Sequence, residues 1–186
     1  AVQVADAGYS SEENYQYLHH HNIEAYVKPV DFDRKQKKNW QPNPFASDQL
    51  EYDAVKNHYI CPAGKAMRYT GRYRKKEKGG FIKTYTLYKA TGCRNCPLKE
   101  ACHKQNGNRL LKVNHNGRKL KQQAHERLKT EKGIFYRKQR PADVEPVFGN
   151  IKSNKNFKRF LLKGIDKTEI EWGLLCLAHN LKKVAA

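Results

Sequence analysis

The feature that most constrains the fold is a strand–helix–strand pattern at the start of the chain. Residues 1–5, AVQVA, form a short apolar run that predicts a buried strand, and Asp6 ends it. Ser10 and Glu13 have the spacing of a capping box, so we expect a helix to start there. Residues 23–28, IEAYVK, predict a second strand. A strand, a helix and a strand in succession are typical of an α/β sheet.

The middle of the chain has a different character. Residues 31–54 are polar and charged and contain prolines, which predicts a linker or an arm. Short runs rich in Tyr, Ile, Thr and Val then predict strands, with the stretch RKKEKGG as a hairpin turn before the last of them. These predicted strands cover residues 55–61, 67–74 and 81–89. A polar helix is predicted for residues 117–132.

The last third of the chain is predicted to be helical. Pro141 suits the first turn of a helix, and Val144, Phe148 and Ile151 recur at i, i+4 and i+7 on one apolar face of it. A second, apolar helix follows Gly164, with leucine and isoleucine in helical register at Ile170, Leu174, Leu177 and Leu181. The chain therefore divides into four predicted segments, which are residues 1–30, 31–54, 55–132 and 133–186.

The charge of the chain indicates its partner. Lys and Arg number 37 against 18 Asp and Glu, a formal net charge of +19. Residues 54–130 hold only three acids, so the surplus is concentrated there. A polyanion neutralises such a surface, and nucleic acid is the usual one because binding releases condensed counterions. No run approaches the ~18 apolar residues of a spanning helix, so no membrane partner is expected.

The cysteines suggest a metal site. Cys93, Cys96 and Cys102 form a compact C-x-x-C group with a third cysteine, and Cys61 precedes them on another segment. Four thiolates complete the tetrahedral shell of a structural Zn²⁺, so we expect these four to bind zinc. Four reduced cysteines without metal are the alternative, and His58 and His103 are alternative ligands. Cys176, in the apolar last helix, is expected to be core.

Two acids stand in distinctive surroundings. Asp6 directly follows the first predicted strand, and Glu145 lies in the first turn of the helix predicted to begin at Pro141. Lys152 is seven positions beyond Glu145, so the two are expected to share a helix face. A surface ion pair is one explanation of this grouping, and a metal-binding acid beside a phosphate-binding base is the other.

Three stretches carry a resemblance to a known family. ADAGYSSEENYQYL resembles the region around the second Asp of bacterial insertion-sequence transposases of the DDE type. RPADVEPVFGNIKSNKNFKRFLLKG resembles their Glu region, with its Val-Glu-Pro-Val-Phe-Gly core, and EWGLLCLAHNLKK resembles their last helix. The resemblance spans nearly the whole chain, so residues between the two acids correspond to the insertion of such enzymes.

The resemblance implies a fold and a chemistry. The fold class expected is α/β, an incomplete RNase H-like core interrupted by a β-rich, zinc-binding insertion. Asp6 and Glu145 are the implied second and third catalytic acids, which hold Mg²⁺ or Mn²⁺ for DNA strand cleavage and transfer. DNA, as transposon ends and target, is the implied partner. Residues implied to contact it are Lys152, Arg140, Tyr136, Arg137, Lys155, Lys158 and Arg159.

The family's first Asp belongs on an earlier strand, and nothing precedes Ala1 in this sequence. We therefore expect a fragment whose metal site is incomplete and which is inactive alone. A zinc-stapled basic fragment that binds DNA without catalysis is the alternative function, and an RNA-associated basic protein is a third. The resemblance further implies a homo-oligomer in the active complex and a cytoplasmic, nucleoid-associated location in bacteria.

Overall fold

The computed structural model describes residues 1–185, apart from the side chain of Val144. The chain divides into two compact units, Ala1–Lys129 and a second unit from Thr130 onward. The first contains all seven strands and four helices of the described chain, and the second is helical. The predicted combination of helices and strands is confirmed, and the RNase H-like arrangement of the core stays a prediction. None of the helices in residues 1–185 combines the length and the hydropathy that crossing a bilayer requires.

The predicted strand–helix–strand unit is present at the start of the first unit. Strand β1 (Val2–Ala5) pairs in parallel with β2 (Glu24–Val27), and helix α1 (Glu12–His20) connects them. The helix cap differs by one residue from the prediction, because the hydroxyl of Ser11 accepts the Asn14 N–H at 3.0 Å.

Helix α1 packs on this strand pair through one apolar face. Tyr15 and Leu18, three positions apart, are buried in a cluster with Ala25 and Val27 of β2. Ala124, much later in the chain, completes the cluster. The N-terminal β–α–β piece is therefore held by a residue from the far end of the first unit.

A five-stranded antiparallel sheet forms the larger part of the first unit. Its strands are adjacent in chain order: β3 (Tyr52–Asp53), β4 (His58–Ile60), β5 (Ala66–Lys76), β6 (Ile82–Lys89) and β7 (Leu110–Val113). The predicted hairpin turn lies between β5 and β6, where Gly80 has a φ of 87° that favours glycine. A β-bulge between Tyr69 and Gly71 shifts the register of the β5–β6 pair.

One face of this sheet carries the core. Tyr59, Met67, Tyr88, Leu111 and Val113 form a buried cluster with Ala90. Strand β7 was not predicted, because four residues with two inward side chains give too short an alternation to recognise. The sheet nevertheless depends on it, since β7 contributes Leu111 and Val113 to the cluster.

Three helices complete the first unit: α2 (Phe32–Lys35), α3 (Lys99–Cys102) and α4 (His115–Arg127). Phe32 is 1% exposed, and its ring lies 5.3 Å from that of His125 on α4. The Asp31 carboxylate lies 3.1 Å from His125 Nε2 and forms an ion pair with the Lys35 ammonium at 2.7 Å. Residues from the segment 31–54 thus contact α4, while the predicted domain boundaries stay predictions.

The second unit consists of two long helices. Helix α5 (Glu131–Gly149) continues into a π-helical turn (Asn150–Asn154), and α6 (Ile165–Val184) follows a loop. The predicted helix start at Pro141 was wrong, because α5 begins ten residues earlier with Thr130 as its cap. Pro141 and Pro146 both lie inside α5. Each removes one backbone donor from the helix, so α5 lacks two of its internal hydrogen bonds.

Aromatic rings connect the helices of the second unit. Phe148 of α5 stacks on Trp172 of α6 with 5.9 Å between ring centroids, and Phe157 and Phe160 of the loop pack around the same indole. The carboxylate of Glu171 accepts the backbone N–H groups of two loop residues at 3.0 Å. The leucine and isoleucine residues that were predicted to fall in helical register on α6 are exposed, with Leu174 at 63%.

Candidate functional site

Asp6 sits where a parallel strand ends. It is the N-cap of a short 3₁₀ turn (Ala7–Tyr9), and its Oδ1 accepts the Gly8 N–H at 3.0 Å. A Cβ atom at position 8 would lie 3.3 Å from this oxygen, so a glycine there leaves room for the carboxylate. The position fits the rule that open α/β sheets place their sites at the carboxyl ends of parallel strands.

Glu145 is an exposed residue in the last turns of α5, not in a first turn as predicted. It stands directly before Pro146 and four residues after Pro141. Tyr136, Arg137 and Arg140 lie on the same helix and are half-buried. The acid and these three predicted DNA-binding residues are therefore carried by one element.

Lys152 lies in the π-helical turn that follows α5 and is exposed. A π turn is wider than an α turn, so seven positions no longer equal two turns between Glu145 and Lys152. The shared face predicted from a uniform helix therefore does not apply. Single π turns occur frequently at functional sites, which agrees with a role for this segment.

A cavity of about 820 Å³ lies beside Lys152 within the second unit. Apolar and aromatic side chains form most of its walls, among them Phe148, Ile151 and Trp172. The predicted DNA-binding residues Lys155, Lys158 and Arg159 follow in the adjoining loop; the last two are exposed and Lys155 is half-buried. The basic side chains of this region thus border an apolar pocket.

Asp6 and Glu145 belong to different compact units. Their joint action on one metal site, and the assignment of the DNA-binding residues, stay predictions. Both are carboxylates, the hard oxygen ligands that Mg²⁺ and Mn²⁺ take in proteins. The donor chemistry of the two residues fits the implied ions.

The four predicted zinc ligands border one small cavity of about 20 Å³ in the first unit. Cys61 follows β4, Cys93 and Cys96 follow β6, and Cys102 ends α3. Across residues 1–185, however, no group of three or more His, Cys, Asp and Glu side chains is arranged to hold a metal ion. The ligand set predicted from sequence is therefore gathered around one space but not assembled into a site.

Positive and neutral donors surround these cysteines. The guanidinium of Arg109, only 9% exposed, donates to Cys102 Sγ at 3.1 Å, and the Lys65 N–H donates to Cys61 Sγ at 3.4 Å. His103 also lines the cavity, whereas the alternative ligand His58 does not. Burial, with the charges of Arg109 and Lys99, lowers the pKa of His103 below its ordinary value.

The ring orientation of His103 limits its role. Its Nδ1 accepts the Gln105 N–H at 3.2 Å, so the proton of the neutral ring belongs on Nε2. Nε2 is buried and has no hydrogen-bond partner within residues 1–185. His103 therefore points a donor, and not a lone pair, toward its surroundings, which disfavours it as a zinc ligand.

The tyrosines of the sheet have separate environments. Tyr88 is a core residue whose hydroxyl lies 2.9 Å from Asn57 Oδ1 and 2.8 Å from His115 Nε2, and burial raises its pKa. Tyr73 and Tyr85, directly opposite each other on β5 and β6, stack with 5.2 Å between centroids. Tyr69 is 46% exposed. Of these four tyrosines, Tyr88 is the one that is buried in the core.

Sequence reasoning missed a buried polar centre at the start of α1. Glu12 is 9% exposed, and its carboxylate accepts hydrogen bonds from the side-chain amides of Asn114 and Asn116. Asn114 is also the N-cap of α4, since its Oδ1 accepts the Gly117 N–H at 2.7 Å. An acid in a first helical turn gave no signal of this contact, because first-turn acids are ordinary.

Comparison with known proteins gives one match. The family model described as the transposase DDE domain matches residues 60–185. That range includes the four clustered cysteines, Glu145 and Lys152, and it excludes Asp6. No curated protein and no solved structure matches the chain.

Proposed function

Because the chain belongs to the transposase DDE domain family, we propose that it acts in DNA transposition by metal-dependent cleavage and transfer of DNA strands. The observation that carries the proposal is the match over residues 60–185, about two thirds of the chain. The strongly basic composition, +19 at pH 7, agrees with DNA as the partner. The proposed place of action is the bacterial nucleoid, with several copies in the active complex.

Asp6 and Glu145 are the proposed metal-binding acids in an RNase H-like core. When bound, two divalent ions would activate the attacking oxygen and stabilise the leaving one. The support from this chain is the position of Asp6 at the carboxyl end of β1 and the exposure of Glu145 to solvent. Lys152, in the π turn, is proposed to hold a DNA phosphate, and the bases of the following loop to extend that contact.

We also propose a structural Zn²⁺ held by Cys61, Cys93, Cys96 and Cys102. The support is that all four border one cavity and that no other cysteine does. Four bound thiolates leave a net negative charge, which Arg109 and the Nε2–H of His103 are placed to offset. The ion would tie the end of β4 to the loop after β6, and binding it would require the four cysteine side chains to turn toward one another.

The charge also favours a second candidate function, a basic module that binds DNA without catalysis. In that case affinity depends on Lys and Arg alone and falls steeply with salt. The two functions differ in what Glu145 does, so one substitution separates them.

The test replaces Glu145 by Gln and uses Asp143→Asn, an exposed acid two residues earlier on α5, as the matched control. Manganese binding is measured by electron paramagnetic resonance. Manganese-dependent nicking of plasmid DNA is measured on gels, with the upstream segment that carries the family's first Asp supplied. We expect Glu145→Gln to weaken Mn²⁺ binding by about tenfold or more and to abolish nicking, while Asp143→Asn retains both. DNA affinity should be the same in both variants.

Asp6→Asn should act like Glu145→Gln in these measurements. If both variants bind Mn²⁺ as well as Asp143→Asn does, the catalytic proposal is wrong and the DNA-binding module is the better description. Loss of DNA affinity in Glu145→Gln would also contradict the assignment, since the acid is not proposed to hold DNA.

A further inference from the structure

The hairpin of β5 and β6 extends beyond its neighbours in the sheet. Strand β4 pairs with β5 only at residues 66–68, and β7 pairs with β6 only from Thr86 onward. Residues 72–85, here called the hairpin arm, therefore form a two-stranded ribbon in which the strands pair almost entirely with each other. The bulge between Tyr69 and Gly71 lies where the arm leaves the sheet.

The arm is strongly basic. Its 14 residues hold six Lys and Arg and a single acid, Glu77. That acid is shared by Lys75 and Lys83, at 3.2 Å and 3.4 Å. The remaining four bases make no ion pair within residues 1–185, and all four are exposed: Arg72, Arg74, Lys76 and Lys78.

Strand alternation sorts the arm into two faces. Arg72, Arg74 and Lys76 alternate along β5 and so project from one face of the ribbon. The opposite face carries the stacked pair Tyr73 and Tyr85, with the ammonium of Lys112 at 5.6 Å from the Tyr73 ring. One face is therefore an open row of cations, and the other is occupied by contacts within the protein.

We propose that the hairpin arm is a binding surface for double-stranded DNA, with its row of cations on the phosphates and its ribbon at the major groove. A two-stranded ribbon fits the width of that groove, about 12 Å in B-DNA. The inference rests on the proposed function for its partner. It adds a contact region that is separate from the residues around Glu145.

Duplex DNA is favoured over a single strand by the aromatic rings. Proteins that bind single strands offer free aromatic faces for bases to stack on. Tyr73 and Tyr85 use their faces on each other, with an angle of 14° between the rings, and Lys112 covers the Tyr73 ring. The arm therefore offers charge along its open face but no free stacking platform there.

The test removes the open row of cations and the exposed Lys78 of the turn with the quadruple substitution Arg72→Gln, Arg74→Gln, Lys76→Gln and Lys78→Gln. A control with the same loss of charge uses four exposed lysines outside the arm: Lys37→Gln, Lys38→Gln, Lys104→Gln and Lys129→Gln. Fluorescence anisotropy gives the affinity of each full chain for a labelled duplex of about 30 base pairs, between about 50 and 200 mM NaCl.

The logarithm of the affinity falls linearly with the logarithm of the salt concentration, and four lost phosphate contacts should make this negative slope shallower by about 3–4 in the arm variant. The control should change the slope by less than about 1. Equal losses in the two variants would show that only net charge matters and would overturn the proposal. A greater loss of single-stranded than of duplex binding in the arm variant would overturn it as well.

Two single substitutions keep the test independent of folding. Arg74→Gln and Lys78→Gln should each lower the slope by about 1, and circular dichroism should be unchanged because both side chains are exposed. If the wild-type chain binds duplex DNA and these variants bind it equally well, the arm proposal fails while the proposed function stands. If the wild-type chain does not bind DNA, the proposed function itself fails.

Discussion

The buried carboxylate of Glu12 gives the sharpest stability prediction, and the change that tests it is Glu12→Gln. The orientation of Asn114 is fixed, because its Oδ1 accepts the Gly117 N–H and its Nδ2 must therefore face Glu12. Asn116 also donates to Glu12, at 2.7 Å. A glutamine side chain offers one oxygen and one NH₂ group, so it can accept from one asparagine but directs a donor at the other.

The magnitude follows from these contacts. Hydrogen bonds to a charged group contribute about 1.5–3 kcal/mol each, and a buried donor left unpaired costs about 1–3 kcal/mol. Because Glu12 keeps slight exposure, we expect Glu12→Gln to lower the free energy of unfolding of the first unit by about 2–3 kcal/mol. Glu13→Gln is the control, since Glu13 occupies the same first turn of α1 but is exposed. Its loss should stay below about 1 kcal/mol, the value of a helix-dipole interaction.

The assay is urea unfolding followed by tryptophan fluorescence. The chain has two tryptophans, Trp40 in the first unit and Trp172 in the second. A Trp172→Phe background leaves Trp40 as the reporter of the first unit for every variant. If Glu12→Gln and Glu13→Gln unfold at the same urea concentration with the same slope, the polar centre at Glu12 does not stabilise the first unit and the reasoning is refuted.

Two further predictions concern acid stability and metal content. Burial raises the pKa of Asp31, but hydrogen bonds and charge from Lys35 and the hydrogen bond with His125 outweigh it and bring the pKa to about 2. Since this pKa lies below the ordinary 3.8, Asp31 stabilises the fold above about pH 4, and the stabilisation is lost as the pH falls toward 2. Asp31→Asn should lower the free energy of unfolding by roughly 1–2 kcal/mol at pH 7 and should reduce its dependence on pH between about 4 and 2. A variant with the same pH dependence as the wild type would contradict this. Elemental analysis of the reduced chain should find about one zinc per chain, lost in Cys61→Ser but kept in Cys176→Ser, whose cysteine is not in the cavity; less than about half an equivalent in the wild type would rule zinc out.

Local patterns predicted those parts of the fold that are determined by neighbouring residues. The β–α–β piece and the turn of the β5–β6 hairpin follow from short-range alternation and turn residues, and both are present. Strand β7 gave too few residues for a pattern. The start of α5 was misjudged because Pro141 suits a first turn but is also tolerated at a cost within a helix.

Contacts between distant residues explain the rest of what sequence did not predict. Glu12 and Asn114 are 102 positions apart, and Arg109 reaches Phe45 across 64. No periodicity links such pairs. The four cysteines border one cavity, but no group of three or more ligand side chains within residues 1–185 is arranged to hold a metal ion, so the predicted zinc site stays a prediction.

The two prolines of α5 have a mechanical consequence for the residue they flank. Pro141 and Pro146 each delete a hydrogen bond, so the turn that carries Glu145 is where α5 resists bending least. A bend there would change the direction of the segment that carries Glu145 and Phe148 relative to the cap at Thr130. Backbone hydrogen bonds therefore constrain the direction of the Glu145 carboxylate less than that of other side chains on α5, and a bound ligand would fix its orientation.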